Sequence, residues 1–106
     1  MKNTLTKKQI DFLDRVTKKC NSKWKLTKNG LVDIKGDFDI SNRGLKSYLG
    51  IQFGKVTGDF DCGRNKLISL EGAPQEVGED FNFSNNQLTS LIGAPQKVGE
   101  IGRAHV

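Results

Sequence analysis

Apolar positions along the chain fall first at helical spacing and then at strand spacing. Ile10, Leu13, Val16, Thr17 and Cys20 share one face of a 3.6-residue period, which predicts a helix over about residues 7–20. Thr6-Lys7-Lys8-Gln9 fits a capping box at its start, with Leu5 and Ile10 placed as a hydrophobic staple. Beyond the helix, Trp24 and Leu26 alternate with polar neighbours, Asn29-Gly30 signals a turn, and Val32 and Ile34 alternate again. That pattern predicts a β-hairpin.

From residue 37 onward the pattern repeats. Residues 59–79, DFDCGRNKLISLEGAPQEVGE, align without gaps to 80–100, DFNFSNNQLTSLIGAPQKVGE, with 13 of 21 positions identical. Residues 37–58 form a more divergent copy with one extra residue after Gly50. Ile34 falls where Val56, Val77 and Val98 fall, four residues ahead of each phenylalanine. In each copy two apolar residues stand two apart, Phe38/Ile40, Phe60/Cys62 and Phe81/Phe83, the period of a strand with one buried face. An asparagine follows at Asn65 and Asn86, a residue that tolerates left-handed backbone and hydrogen-bonds locally, so it suits a chain leaving a strand. Leu67/Leu88 and Leu70/Leu91 come next, and Gly-Ala-Pro at 72–74 and 93–95 starts a return leg. One such unit cannot enclose a core, but stacked units place Phe on Phe and Leu on Leu, with one parallel strand per turn.

The string F-x-[CF]-x-x-N-x-L-x-x-L resembles the L-x-L-x-x-N-x-L-x-x-L core of leucine-rich repeats, and the unit length is similar to the short bacterial type. It looks closest to the leucine-rich-repeat-like proteins of phages and bacteria built from tandem DFxCSxNxLTSLxGAPxxVGG units. The resemblance covers residues 34–100 and implies an α+β repeat protein: a short leucine-rich-repeat-like solenoid with a parallel β-sheet. The first copy departs from the pattern, with Arg43 in place of the asparagine and Tyr48 in place of the second leucine. A terminal turn of a solenoid exposes an apolar cross-section. Residues 1–33, helix plus hairpin with Phe12 and Trp24, are expected to cover it as an N-terminal cap.

Charge divides at the same boundary. The net +5 is made of a +7 segment, residues 1–31, where nine Lys/Arg face only Asp11 and Asp14, and a mildly acidic remainder of net −2. No stretch approaches the roughly 20 apolar residues of a membrane span, and no secretory signal opens the chain. Cys20 and Cys62 stand in unrelated contexts, so reduced thiols and a cytoplasmic setting, a bacterial cell or a phage-infected host, are expected. One codon choice for Glu100–Val106 is GAGATCGGAAGAGCACACGTC, which looks like read-through into a common sequencing-library adapter from its second base onward. Residues 101–106 are therefore expected to be an artefactual tail, and the native gene to continue with further 21-residue units.

Nothing in the chain composes a catalytic site. The one histidine, His105, lies in that tail, and Cys62 sits at a buried strand position. There is no P-loop, dinucleotide fingerprint or zinc spacing, and Gly-Asp-Phe-Asp at 36–39 and 58–61 is only a fragment of a calcium loop. No enzyme activity, cofactor or metal is expected. Strand alternation turns Asp37, Asp39, Asp59, Asp61, Asp80 and Asn82 outward, with Arg64 and Asn85 alongside. The leading expectation is a non-catalytic module that binds a protein or peptide, a basic one, on this face. Two readings stand beside it: a nucleic-acid-associated protein contacting through Lys7, Lys8, Arg15, Lys18 and Lys19 on the helix, or the targeting arm of a larger enzyme.

Overall fold

The computed structural model describes residues 4–98; the expectations for residues 99–106 lie outside them. Helix α1, Lys7–Cys20, starts with Thr6 in extended backbone. The Thr6 side chain accepts from the Gln9 N–H at 3.1 Å, and the Gln9 side chain accepts from the Thr6 N–H at 2.8 Å. Asn21, at φ 57°, closes the helix. The buried face is Phe12, Leu13, Val16 and Thr17. Phe12 thus belongs to the core stripe, whereas Ile10 and Cys20 sit at its half-buried margins. No helix among the described residues is long and apolar enough to cross a membrane.

The hairpin follows as β1, Lys23–Leu26, and β2, Val32–Lys35, paired antiparallel with Trp24 opposite Ile34. After it the chain alternates between two sheets. Strands β3 (Phe38–Asp39), β5 (Phe60–Asp61) and β7 (Phe81–Asn82) form a three-stranded parallel sheet. Strands β4 (Phe53–Val56), β6 (Glu76–Val77) and β8 (Lys97–Val98) extend the hairpin into a mixed five-stranded sheet in the order β1-β2-β4-β6-β8. The fold is α+β, with one helix among the described residues. One strand per unit was expected; the return leg supplies a second. Its Val56, Val77 and Val98 pair in register, and Ile34 lies opposite Val56.

Register makes the core. Phe38, Phe60 and Phe81 are direct neighbours across the three-stranded sheet. Their rings stack, 5.8 Å and 6.0 Å between centroids at 12° and 29°. Phe12 of the helix closes one end of this column, edge-on to Phe38 at 6.3 Å. Phe53 from the opposite sheet wedges against both Phe38 and Phe60, at 5.2 and 5.3 Å. Tyr48 replaces a leucine without disorder: its ring meets Phe53 and Phe60 edge-on, and its hydroxyl lies 3.3 Å from Cys62 Sγ. Burial pushes the Cys62 thiol up to about 12, which suits a small apolar filler and not a nucleophile.

Each copy leaves its strand through a left-handed residue, Asn42, Arg64 and Asn85 at φ 55–57°. The asparagines expected there, Asn65 and Asn86, stand one place later, where their side chains bond backbone of the preceding copy and of their own. Asn65 Nδ2 donates to Ile40 O and Cys62 O, both at 2.9 Å, and its Oδ1 accepts from the Arg43 and Leu45 N–H groups. Asn86 repeats this one unit on, donating to Cys62 O and Phe83 O and accepting from Leu67 N–H. The turn before the return leg recurs as well, with Ile51, Ala73 and Ala94 N–H donating to Tyr48, Leu70 and Leu91 carbonyls. Gly72 and Gly93 take φ of 94° and 97° there, and a Cβ on either would come within 2.7 Å of a backbone carbonyl oxygen.

Two predictions follow from this packing. Phe60→Ala removes the ring common to four aromatic contacts, and chemical denaturation is expected to show a loss of about 3–5 kcal/mol; a loss below about 1 kcal/mol would contradict the column. Asn65→Ala orphans backbone groups on two copies and is expected to cost about 3 kcal/mol. Asn65→Asp, which can accept but not donate when ionised, is expected to rescue little of it.

Candidate functional site

The outward positions of β3, β5 and β7 carry the acidic residues singled out above. Asp37, Asp39, Arg64 and Asn85 are exposed, and Asp59, Asp61, Asp80 and Asn82 are half-buried. They form two columns with different duties. In the first, Asp37 Oδ1 accepts the Asp59 N–H at 2.8 Å and Asp59 Oδ1 accepts the Asp80 N–H at 2.9 Å. Each carboxylate is therefore held against the next copy's backbone. In the second, the side chains of Asp39, Asp61 and Asn82 accept the N–H two residues on, from Ser41, Gly63 and Ser84. These local turns fold the chain toward the left-handed residue that follows.

Both columns thus support backbone as well as facing solvent, a role that strand alternation alone does not reveal. One oxygen of each of these hydrogen-bonded carboxylates is engaged, so the orientation of the other is fixed. Alongside, Ser41/Gly63/Ser84 and Asn42/Arg64/Asn85 line a shallow groove of about 370 Å³ that crosses all three copies, with Asp61 and Asn82 in its wall. Such a trough offers alternating hydrogen-bond acceptors and donors, one Arg among them, and no large apolar anchor. Asp37, Asp59 and Glu79 also bring carboxylate oxygens within 4.8 Å of one another. Two of those three groups already accept a backbone N–H, and exposed carboxylates commonly gather without an ion.

The helix lysines and arginine, Lys7, Lys8, Arg15, Lys18 and Lys19, are all exposed. Lys7 is ion-paired with Asp11 at 3.6 Å. Lys19 is drawn away from a purely basic patch, because it lines a hollow with Asp37, Asp39 and Arg43 where the helix end meets β3. A second basic group was hidden by sequence separation. Lys23 and Lys25 on β1, Lys35 on β2 and Lys55 on β4 gather on the outward side of the five-stranded sheet. The signal available was the alternation of the hairpin, which turns those lysines outward once Trp24 and Ile34 turn inward.

Asp61 differs electrostatically from its neighbours. Partial burial raises its carboxyl pKa above the ordinary value, helped by the charges of Asp39 and Asp59 and opposed by the Gly63 N–H and Arg64. The folded chain then holds that proton more tightly than the unfolded chain. The benefit is present below the unfolded pKa and is lost as pH rises through the folded one. At neutral pH the charged Asp61 is a cost. Asp61→Asn keeps the acceptor for Gly63, as Asn82 does for Ser84 one copy on. Thermal melts are expected to show the variant slightly more stable than the parent at pH 7 and equal to it near pH 3; a lower midpoint at pH 7 would contradict this.

Compared with known proteins, the chain matches no protein-family model, no curated protein and no solved structure, so the site rests on its own geometry.

Proposed function

We propose that the chain is a leucine-rich-repeat-like solenoid, with residues 1–33 as its cap and 34–100 as its repeat body, that serves as a non-catalytic binding module. Its ligand is a protein or peptide, taken as an extended basic segment along the outer face of β3, β5 and β7. The observation that carries this reading is the groove made by equivalent positions of three successive copies. A site composed of one position repeated at strand spacing, about 4.8 Å, suits a ligand that is itself extended and repetitive. Asp61 stands in its wall, and the fixed carboxylates of Asp37, Asp39 and Asp59 lie on the same outward face, so opposite charge steers the encounter. The two thiols, Cys20 and Cys62, are unpaired, in keeping with a cytoplasmic setting in a bacterial cell or phage-infected host.

The test is a titration of the isotopically labelled protein with an arginine- and lysine-rich peptide, followed by amide chemical shifts at low salt. Shifts are expected at Asp61, Gly63, Arg64, Asn82, Ser84 and Asn85, fading as salt rises. The double variant Asn42→Lys, Asn85→Lys, at exposed positions equivalent to Arg64 on the same left-handed backbone, is expected to abolish them with the fold intact. Shifts confined to the helix, or none at millimolar peptide, would overturn the reading.

A further inference from the structure

The lysines of the five-stranded sheet carry an inference separate from the acidic groove. The two sheets face each other across the phenylalanine core, because Phe38 of β3 and Phe53 of β4 meet ring to ring at 5.2 Å. Their outward surfaces therefore look away from one another, and they differ in sign. On the five-stranded side Lys23, Lys25, Lys35 and Lys55 are all exposed. Lys23 lies directly opposite Lys35 in the antiparallel pair, an arrangement of like charges that costs stability. Two carboxylates share the face: Asp33, opposite Lys25, whose Oδ1 accepts the Lys55 N–H at 2.9 Å, and the exposed Glu76 of β6, beside Lys55 in the ladder. No described residue forms an ion pair with any of the four.

Edge protection does not account for this grouping. A lysine on an edge strand discourages unwanted strand pairing, which covers Lys23 and Lys25 on β1. Lys35 and Lys55 lie on β2 and β4, strands paired on both sides, where no edge needs guarding. Four exposed lysines outnumber the carboxylates of Asp33 and Glu76 on this face, so a net positive surface about 10 Å across three adjacent strands complements a row of anions. The geometry also bears on which polyanion. Proteins that grip single strands use aromatic rings as stacking platforms. Here Trp24 is turned inward opposite Ile34, packs on the core and donates its indole N–H to Asp14 of the helix at 2.8 Å. Trp24 borders the same hollow as the lysines, but its ring is held by Asp14 and the core and so is not presented as a stacking platform.

We propose that the outward surface of β1, β2 and β4 docks double-stranded nucleic acid through its phosphate backbone, without reading sequence. Binding by phosphate contacts releases counterions, so the logarithm of the association constant falls with the logarithm of salt by about 0.9 per contact on duplex DNA. Four lysines set an expected slope of about −3.6.

The experiment is fluorescence anisotropy of the full chain with a labelled random-sequence duplex, from about 50 to about 200 mM NaCl. The triple variant Lys23→Gln, Lys35→Gln, Lys55→Gln is expected to weaken binding roughly tenfold or more at the lowest salt and to reduce the slope to about −0.9. A helix variant, Lys8→Gln, Arg15→Gln, Lys18→Gln, is expected to keep the parent slope. Circular dichroism of both variants should match the parent, since all six side chains are exposed, and the sheet variant should melt at or slightly above the parent midpoint because it relieves the Lys23–Lys35 repulsion. The proposal is overturned if the parent fails to bind the duplex at the lowest salt, or if the helix variant loses as much as the sheet variant. It is equally overturned if a single strand binds more tightly than the duplex, or if a polyglutamate peptide competes as well as duplex at equal charge.

Discussion

A 21-residue unit with strands only two residues long leaves much of its backbone without a strand partner inside the fold. Side chains of the neighbouring unit supply what the ladders cannot. Asn65 bonds Ile40 O, Arg43 N–H and Leu45 N–H of the copy before it, and Asn86 does the same for Cys62 O and Leu67 N–H. Asp37 and Asp59 take the Asp59 and Asp80 N–H groups in the other direction. Buried amides left unpaired would each cost about 1–3 kcal/mol, so the copies can lie together only in the register that satisfies them. The phenylalanine column is a consequence of that register, since it places Phe38, Phe60 and Phe81 over one another.

The same constraint shapes the surfaces. Because the carboxylates of β3, β5 and β7 support backbone, they recur in every copy whatever the protein binds, and their presence alone says little about a ligand. What the constraint leaves free is more informative. The groove at Asn42, Arg64 and Asn85 varies in charge from copy to copy on an invariant left-handed backbone. The lysines of the opposite sheet, apart from Asp33's bond to a backbone N–H, take no part in the stitching. The lysines, and Asn42, Arg64 and Asn85 in the groove, lie where side chains are released from structural duty, while Asp61 and Asn82 in the groove wall also hold backbone.

Much of this was readable in the chain. The capping box, the helical spacing of Leu13 and Val16 and the alternation around Asn29-Gly30 act over neighbouring residues, so local pattern sufficed. The repeat identified Phe38, Phe60 and Phe81 as equivalent. The second sheet was not readable, because two-residue strands such as Glu76–Val77 and Lys97–Val98 show no period. Nor was the left-handed position: Arg64 stands there, and nothing in an arginine announces it. The lysine face is not legible in the chain, because Lys23 and Lys55 are brought together by the register of three strands. Among the acidic residues, outward direction followed from alternation, but the raised pKa of Asp61 depends on burial between neighbouring copies.

Side chains of each copy satisfy backbone groups of its neighbours. Native-state hydrogen exchange followed residue by residue tests it most directly. Arg43, Leu45, Asp59 and Leu67 lie outside the strands, yet each donates its N–H to an asparagine or aspartate side chain. These four amides are expected to exchange as slowly as the Phe38 and Phe60 strand amides. Exchange at the rate of an unstructured loop, with the strand amides still protected, would contradict it.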